Sequence, residues 1–215
     1  MDQPTRTVVQ CDFDGTATLE DVSFLLLDAF ATGDWRRLHD EYEKANMSVG
    51  RFNEDAFAMV KADRESLLKV VRSEAKLRPG FPEMIACCRR KDFRLVIVSN
   101  GLDFYIREIL KNIGQEDIEV HAARTLFHPE GLKVQYIGPD GDPLDADFKE
   151  AYVNLFLGEG YRVIYVGNGT SDASPARRCH HIFATANLLN YCRRENIACT
   201  PFNDFSDIVR ELETL

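Results

Sequence analysis

Short apolar runs alternate with helical patterns along most of this 215-residue chain, and that alternation restricts the fold more than any other feature. Thr7–Phe13, Leu95–Ser99, Ile118–Ala122, Arg162–Val166 and His181–Ala184 read as strands apolar enough to be buried on both faces. Helical periodicity separates them over Phe81–Lys91, Leu102–Asn112, Phe148–Leu157 and Ala173–Arg178. Strand and helix in turn predict an open, doubly wound parallel α/β sheet covered on both faces. In such sheets ligands bind beyond the carboxyl ends of the strands, so the residues that close each strand are the ones to read for chemistry.

Two stretches depart from the alternation. Residues 19–76 hold helical runs only (19–30, 35–47, 52–62 and 66–74), closed by Arg78-Pro79-Gly80. They predict a helical cap inserted after the first strand, over the strand ends, where a lid would exclude water and select substrate. Residues 1–18 and 77–215 then form the α/β core. Residues 125–146 carry the turns Pro129-Glu130-Gly131 and Pro139-Asp140-Gly141 around a short apolar run, which predicts a β-hairpin flap. The pattern assigns the flap no role.

The first strand runs into Asp12-Phe13-Asp14-Gly15-Thr16. Alternation along an extended backbone points Asp12 and Asp14 to one side, and like charges that close need a cation, a proton or hydrogen bonds to compensate. Taken alone, Asp-x-Asp-Gly is also an ordinary turn. The second strand ends in Ser99-Asn100-Gly101 before a helix, where a hydroxyl and free N–H groups would suit an anion. The strand after Tyr161 ends in Gly167-Asn168-Gly169-Thr170-Ser171-Asp172, whose oxygen donors suit Mg²⁺; the same residues could form a loop with Asp172 as a helix cap. Lys149 falls in the first turn of a helix if Asp147 caps it, and the helix dipole disfavours a cation there. A role reaching a phosphate and Asp12 would account for that placement; a surface lysine would not.

Charge narrows the partners. Lys and Arg number 26 against 35 Asp and Glu, a net charge of -9, which argues against a nucleic-acid surface. An anionic substrate would be repelled at long range, so a phosphate site needs local positive charge. The six cysteines lack framework spacing, which fits reduced thiols in a cytoplasmic protein. Cys179, His180 and His181 cluster without spaced metal-ligand partners. No leader or membrane-spanning run is expected.

An acidic pair, a Ser after the second strand, a Lys and then an acidic glycine-rich loop, in that order, resemble the haloacid dehalogenase superfamily from Asp12 to Asp172. The helical insertion resembles the small cap of its phosphoserine-phosphatase-like branch. Phe183-Ala184, Leu188-Leu189, Tyr191-Cys192-Arg193 and Pro201-Phe202-Asn203-Asp204-Phe205 resemble the C-terminal part of MtnX-like phosphatases, whose named substrate is a phosphorylated enol of methylthiopentane. The resemblance implies that Asp12 is a nucleophile forming an aspartyl-phosphate, and that Asp14 is the general acid and then base. It implies Mg²⁺ held by the Asp12 carboxylate, the Asp14 backbone carbonyl and the Asn168 side chain, with Asp172 orienting a bound water. It implies phosphate ligands at Ser99, the Asn100 and Gly101 backbone, and Lys149. Asp14 favours phosphate chemistry over the carbon chemistry of the dehalogenase branch.

Asn168 departs from the Asp that most relatives carry and predicts weaker metal binding. Asp21 matches an acid that contacts the substrate amine in phosphoserine phosphatases, yet MtnX-like sequences share it, so it does not identify serine phosphate. Arg51, Arg64, Phe24, Phe52 and Phe57 could line the pocket, although periodicity favours the aromatics as cap core. The expected activity is Mg²⁺-dependent hydrolysis of a small phosphorylated metabolite by a monomer or homodimer, with no nucleic acid or membrane partner. A weak phosphate-ligand binder or regulator, or a phosphotransferase, are the alternatives.

Overall fold

In a computed structural model, which describes residues 6–215, eight strands form one sheet in the order β5-β4-β3-β2-β1-β6-β7-β8. These are β1 (Thr7–Cys11), β2 (Arg94–Leu102), β3 (Glu119–Leu126), β4 (Lys133–Ile137), β5 (Pro143–Leu144), β6 (Arg162–Gly167), β7 (His181–Ala184) and β8 (Thr200–Pro201). From β3 to β8 across the sheet all pairings are parallel. The expected open parallel α/β sheet is therefore the fold. β1 is buried throughout and lies between β2 and β6, where the strand order reverses. That reversal opens a crevice at the carboxyl end of β1, directly under Asp12.

The helices follow the sequence pattern with shifted ends. They are α1 (Val22–Phe30), α2 (Trp35–Glu43), α3 (Val49–Phe57), α4 (Arg64–Glu74), α5 (Phe81–Arg90), α6 (Asp103–Asn112), α7 (Phe148–Gly158), α8 (Ala173–Ala176), α9 (Ala186–Arg194) and α10 (Phe205–Leu212). The first four form the insertion, and each starts at a side-chain cap: Asp21, Asp34, Ser48 and Asp63 accept from the N–H three residues on. Such caps satisfy backbone donors that a helix start leaves free. Asp21 explains why α1 begins at Val22 rather than at Leu19. An antiparallel bridge between Thr18 and Leu77 joins the two ends of the insertion, and Leu26, Leu27, Phe57, Leu67, Leu68 and Val71 are buried within it.

Three features differ from the sequence reading. The 125–146 segment forms the expected antiparallel hairpin, but joined to the main sheet: β3 runs on to Leu126 and pairs with β4, which pairs with β5. It extends the sheet edge and meets the insertion, where Asn53 Nδ2 lies 2.5 Å from the Tyr136 hydroxyl and Gly50 N donates to Asp145 O. The expected helix over 173–178 shrinks to α8, preceded by a tight turn at Thr170–Asp172. The C-terminal elements α9, β8 and α10 were not delineated by periodicity. Phe205 of α10 packs edge-on against Phe81 of α5, with ring centroids 5.0 Å apart.

Candidate active site

Asp12 follows β1 directly and is 5% exposed, while Lys149, in the first turn of α7, is 4% exposed. Lys149 Nζ stands 2.8 Å from Asp12 Oδ1 and 2.6 Å from Asp172 Oδ1, and donates to Ser171 Oγ at 3.3 Å. Its three protons thus have three acceptors, of which the serine is the most distant. Burial disfavours the ammonium, but Asp12 and Asp172 outweigh that and hold its pKa above the ordinary lysine range. Gln10 Nε2, one alternation before Asp12, donates to the Lys149 main-chain oxygen at 3.0 Å and ties α7 to β1. Asp147 precedes α7 in the left-handed region (φ 57°) with no side-chain cap, so Asp12 and Asp172, rather than a cap, account for the lysine.

Asp172 is placed differently from the expectation that it orients a metal-bound water. Its Oδ1 accepts from Lys149 and from the Tyr165 hydroxyl at 2.7 Å, and its Oδ2 accepts from the N–H groups of Asn168 (2.9 Å) and Gly169 (2.8 Å). A carboxylate offers about four lone-pair directions, and Asp172 is fully buried with all of them used. It is a positioning residue for Lys149 and the 167–169 backbone. A side chain on Gly167 would stand 2.6 Å from its Oδ2, so a glycine is needed there.

Asp14 is held from two directions. Tyr105 donates to its Oδ2 at 2.5 Å and Val22 N donates to its Oδ1 at 3.1 Å, while Ser23 Oγ backs the tyrosine at 2.8 Å. Burial, with the Asp21 charge beside it, pushes the Asp14 carboxyl well above the usual range, partly opposed by Tyr105. The acid form is favoured, as a proton donor to a leaving group requires. Burial also raises Asp12 to about 6 against the opposing Lys149 charge, and raises Asp21 to about 6 against the bond it accepts from Phe24 N. Gly101 faces this pair: a methyl there would overlap both Asp14 Oδ2 and the Tyr105 hydroxyl.

These groups open onto a cavity of about 500 Å³ between the strand ends and the insertion. Asp12, Asp14, Asp21, Ser99, Asn100, Gly101, Lys149 and Asn168 line it, whereas Asp172 lies behind Lys149. Ser99 Oγ accepts from Gly101 N at 3.1 Å. That leaves the serine proton able to donate into the cavity, but the Gly101 N–H, expected to face a phosphate, is engaged. The Asn100 carbonyl accepts from Tyr136 at 2.5 Å and from Asn53 Nδ2 at 3.0 Å, bracing this loop from the sheet edge and the insertion.

Phe24 and Phe52 of the insertion line the cavity, but Phe57 is core, Arg51 turns to Asp55 at 2.7 Å, and Arg64 points to solvent. Cys179, His180 and His181 make local contacts only, with His180 Nδ1 accepting from Val163 N. Among the described residues no three His, Cys, Asp or Glu side chains come together as a metal cluster. A cation here would need mixed oxygen donors, and these are present. Asp12 Oδ2 receives only a 3.3 Å contact from Thr16, Asn168 Oδ1 accepts from the same hydroxyl at 3.0 Å, and no hydrogen bond reaches the Asp14 main-chain oxygen among the described residues. Asp12 and Asp172 against Lys149 leave the cluster one negative charge in excess. Donor type and charge both fit a hard divalent ion.

Sequence reasoning missed Tyr105, Tyr165, Tyr136, Asn53, Gln10 and Arg78. Arg78 donates to the carbonyls of Gly15, Thr16 and Asn203 and so clamps the loop after Asp14.

The switch point of this open α/β sheet carries paired aspartates, a serine and a buried lysine, an arrangement that suits a hydrolase. The haloacid dehalogenase-like hydrolase family model matches residues 9–177, and the chain belongs to that family. Pdp3-interacting factor 1 of Schizosaccharomyces pombe is 30% identical over 100% of this chain and 98% of its own. The 2-hydroxy-3-keto-5-methylthiopentenyl-1-phosphate phosphatase of Geobacillus thermodenitrificans is 26% identical over 98% of this chain and 97% of its own. A phosphoserine phosphatase captured as a phospho-aspartyl intermediate analogue superposes with TM-score 0.71 at 16% identity, covering 97% of this chain and 99% of that one. The chain is thus a phosphatase-type member of the family that resembles the MtnX-like enzymes.

Proposed function

We propose that this chain hydrolyses a small phosphomonoester in the cytoplasm, with Asp12 as nucleophile and Asp14 as general acid and base. The observation that carries the reading is the pairing of two differently held carboxylates on one cavity: Asp12 fixed by Lys149, Asp14 fixed by Tyr105. An Asp12 oxygen attacks phosphorus and the bond to the ester oxygen breaks. Asp14 gives its proton to that leaving oxygen, then takes one from the water that attacks the phospho-aspartate. Ser99 and Lys149 hold the phosphoryl oxygens, where fixed donors stabilise charge as it spreads. The long Lys149–Ser171 contact is the one a phosphoryl oxygen most readily replaces.

Asp12 Oδ2, the Asp14 carbonyl and Asn168 Oδ1 would hold Mg²⁺. The ion would supply positive charge to the phosphoryl group and lower the Asp12 pKa, keeping the nucleophile ionised. Residues 19–76 act as the cap, since Phe24, Tyr42 and Phe52 reach the cavity. The cysteines are all free thiols, and no helix among the described residues is long and apolar enough to cross a membrane, which supports the compartment.

Turnover of an aryl phosphate with and without Mg²⁺, beside Asp12→Asn, tests the reading. Activity surviving in the variant refutes the nucleophile. Asn168 favours one rival, a phosphate-ligand binder, and binding without turnover of any ester would establish it.

A further inference from the structure

The charges around the cavity carry information about the alcohol half of the substrate. Among the described residues, Lys149 and Arg78 are the only lysine and arginine in its lining. Lys149 is committed to two carboxylates and a serine, and each nitrogen of Arg78 donates to a main-chain carbonyl. His39 also lines the cavity, with its ring packed against Phe24 and Phe52 as part of an aromatic wall. Beyond the phosphate end, no lysine or arginine among the described residues is free to receive a substrate carboxylate.

The opposite wall is aromatic and acidic. Phe24 meets His39 edge-on at 4.9 Å, His39 meets Phe52 at 5.6 Å, and Phe52 stacks on Tyr42 at 5.8 Å with 19° between the planes. Glu43 follows Tyr42 at the rim, and Asp21 adds negative potential deeper in. Ring faces and carboxylates together attract a cation, which binds aromatic π-systems and loses little hydration there. A carboxylate in the same place would meet the negative faces of the rings and two like charges.

We propose that the phosphomonoester used by this site carries a positively charged alcohol, an amine or quaternary ammonium, and no carboxylate. This rests on the phosphatase reading above and adds the charge class of the leaving alcohol. Phe52, Tyr42 and Glu43 form the face that selects it.

Matched probes test it with the full chain and Mg²⁺. Phosphocholine and its neutral tert-butyl isostere differ by charge alone; phosphoethanolamine and phosphoserine differ by one carboxylate. We expect kcat/KM to be higher by about tenfold for phosphocholine than for its isostere and for phosphoethanolamine than for phosphoserine, the scale of one cation–π contact with an ion pair. In Glu43→Gln the phosphocholine-to-isostere ratio should fall about threefold, and in Tyr42→Leu by a similar factor, whereas a merely structural role would change both esters together. Equal use of phosphocholine and its isostere, or preference for phosphoserine, overturns the proposal while leaving the phosphatase reading intact. Failure to hydrolyse para-nitrophenyl phosphate as well overturns the phosphatase reading itself.

Discussion

Replacing Asp172 with Asn changes one atom of a buried side chain and separates two roles for it. The wild-type carboxylate accepts two backbone N–H groups on Oδ2 and Lys149 with Tyr165 on Oδ1. An amide can keep one of those pairs only. If its oxygen stays with Asn168 N and Gly169 N, its NH₂ group faces an ammonium and a hydroxyl that both donated to Oδ1. Two hydrogen bonds and one ion pair are lost at a site with no solvent access. Breaking a buried pair from one side costs about 3–5 kcal/mol, and the remaining Asp12–Lys149 pair, now neutral, argues for the lower end. We therefore expect a loss of about 3 kcal/mol in urea unfolding with an unchanged m-value, equivalent to a Tm lower by roughly 6–12 °C. Tyr165→Phe removes one donor and should cost about 1.5–3 kcal/mol. A stability change below about 1 kcal/mol in Asp172→Asn, with a weaker Mg²⁺ response, would return Asp172 to the metal shell and refute the saturation argument.

Further outcomes follow from the same geometry. Asn168→Asp keeps an acceptor for Thr16 and adds a charge beside the Asp12 oxygen; the half-saturating Mg²⁺ concentration should fall by about tenfold or more, read from an activity titration. Gly101→Ala drives a methyl into Asp14 and Tyr105, so kcat should drop by about a hundredfold or more while circular dichroism stays native. Asp12 and Asp21 have folded pKa values raised to about 6 from 3.8. Carboxyls raised in this way stabilise the fold fully below their unfolded pKa and lose that contribution as pH rises through about 6. Mg²⁺ binds the ionised form, so its stabilisation, about 2.7 kcal/mol at a hundred times Kd, should be large near pH 7 and small near pH 5 in thermal melts.

The sequence by itself determined the parallel sheet and the residues that reach its carboxyl edge. Buried strands and amphipathic helices write their periodicity locally, and a motif at a strand end inherits its place from the strand. Asp12, Asp14, Ser99 and Asn168 were legible for that reason, and Lys149 from its place in the first turn of a helix. Tertiary structure alone decided what each could do. Tyr105 lies 91 residues from Asp14 in sequence and Asn53 lies 83 from Tyr136, and contacts at that distance leave no local pattern. Asp172 shows the same limit: its motif announced an acid, but only the folded core supplied the four donors that surround it. The hairpin at 125–146 was legible as alternation and turns; that it continues the sheet edge depended on β3 pairing with β2 along its first part and with β4 along its last. Composition gave the chain its negative charge; the fold decided which lysine and arginine of the described residues face the cavity and which groups hold them.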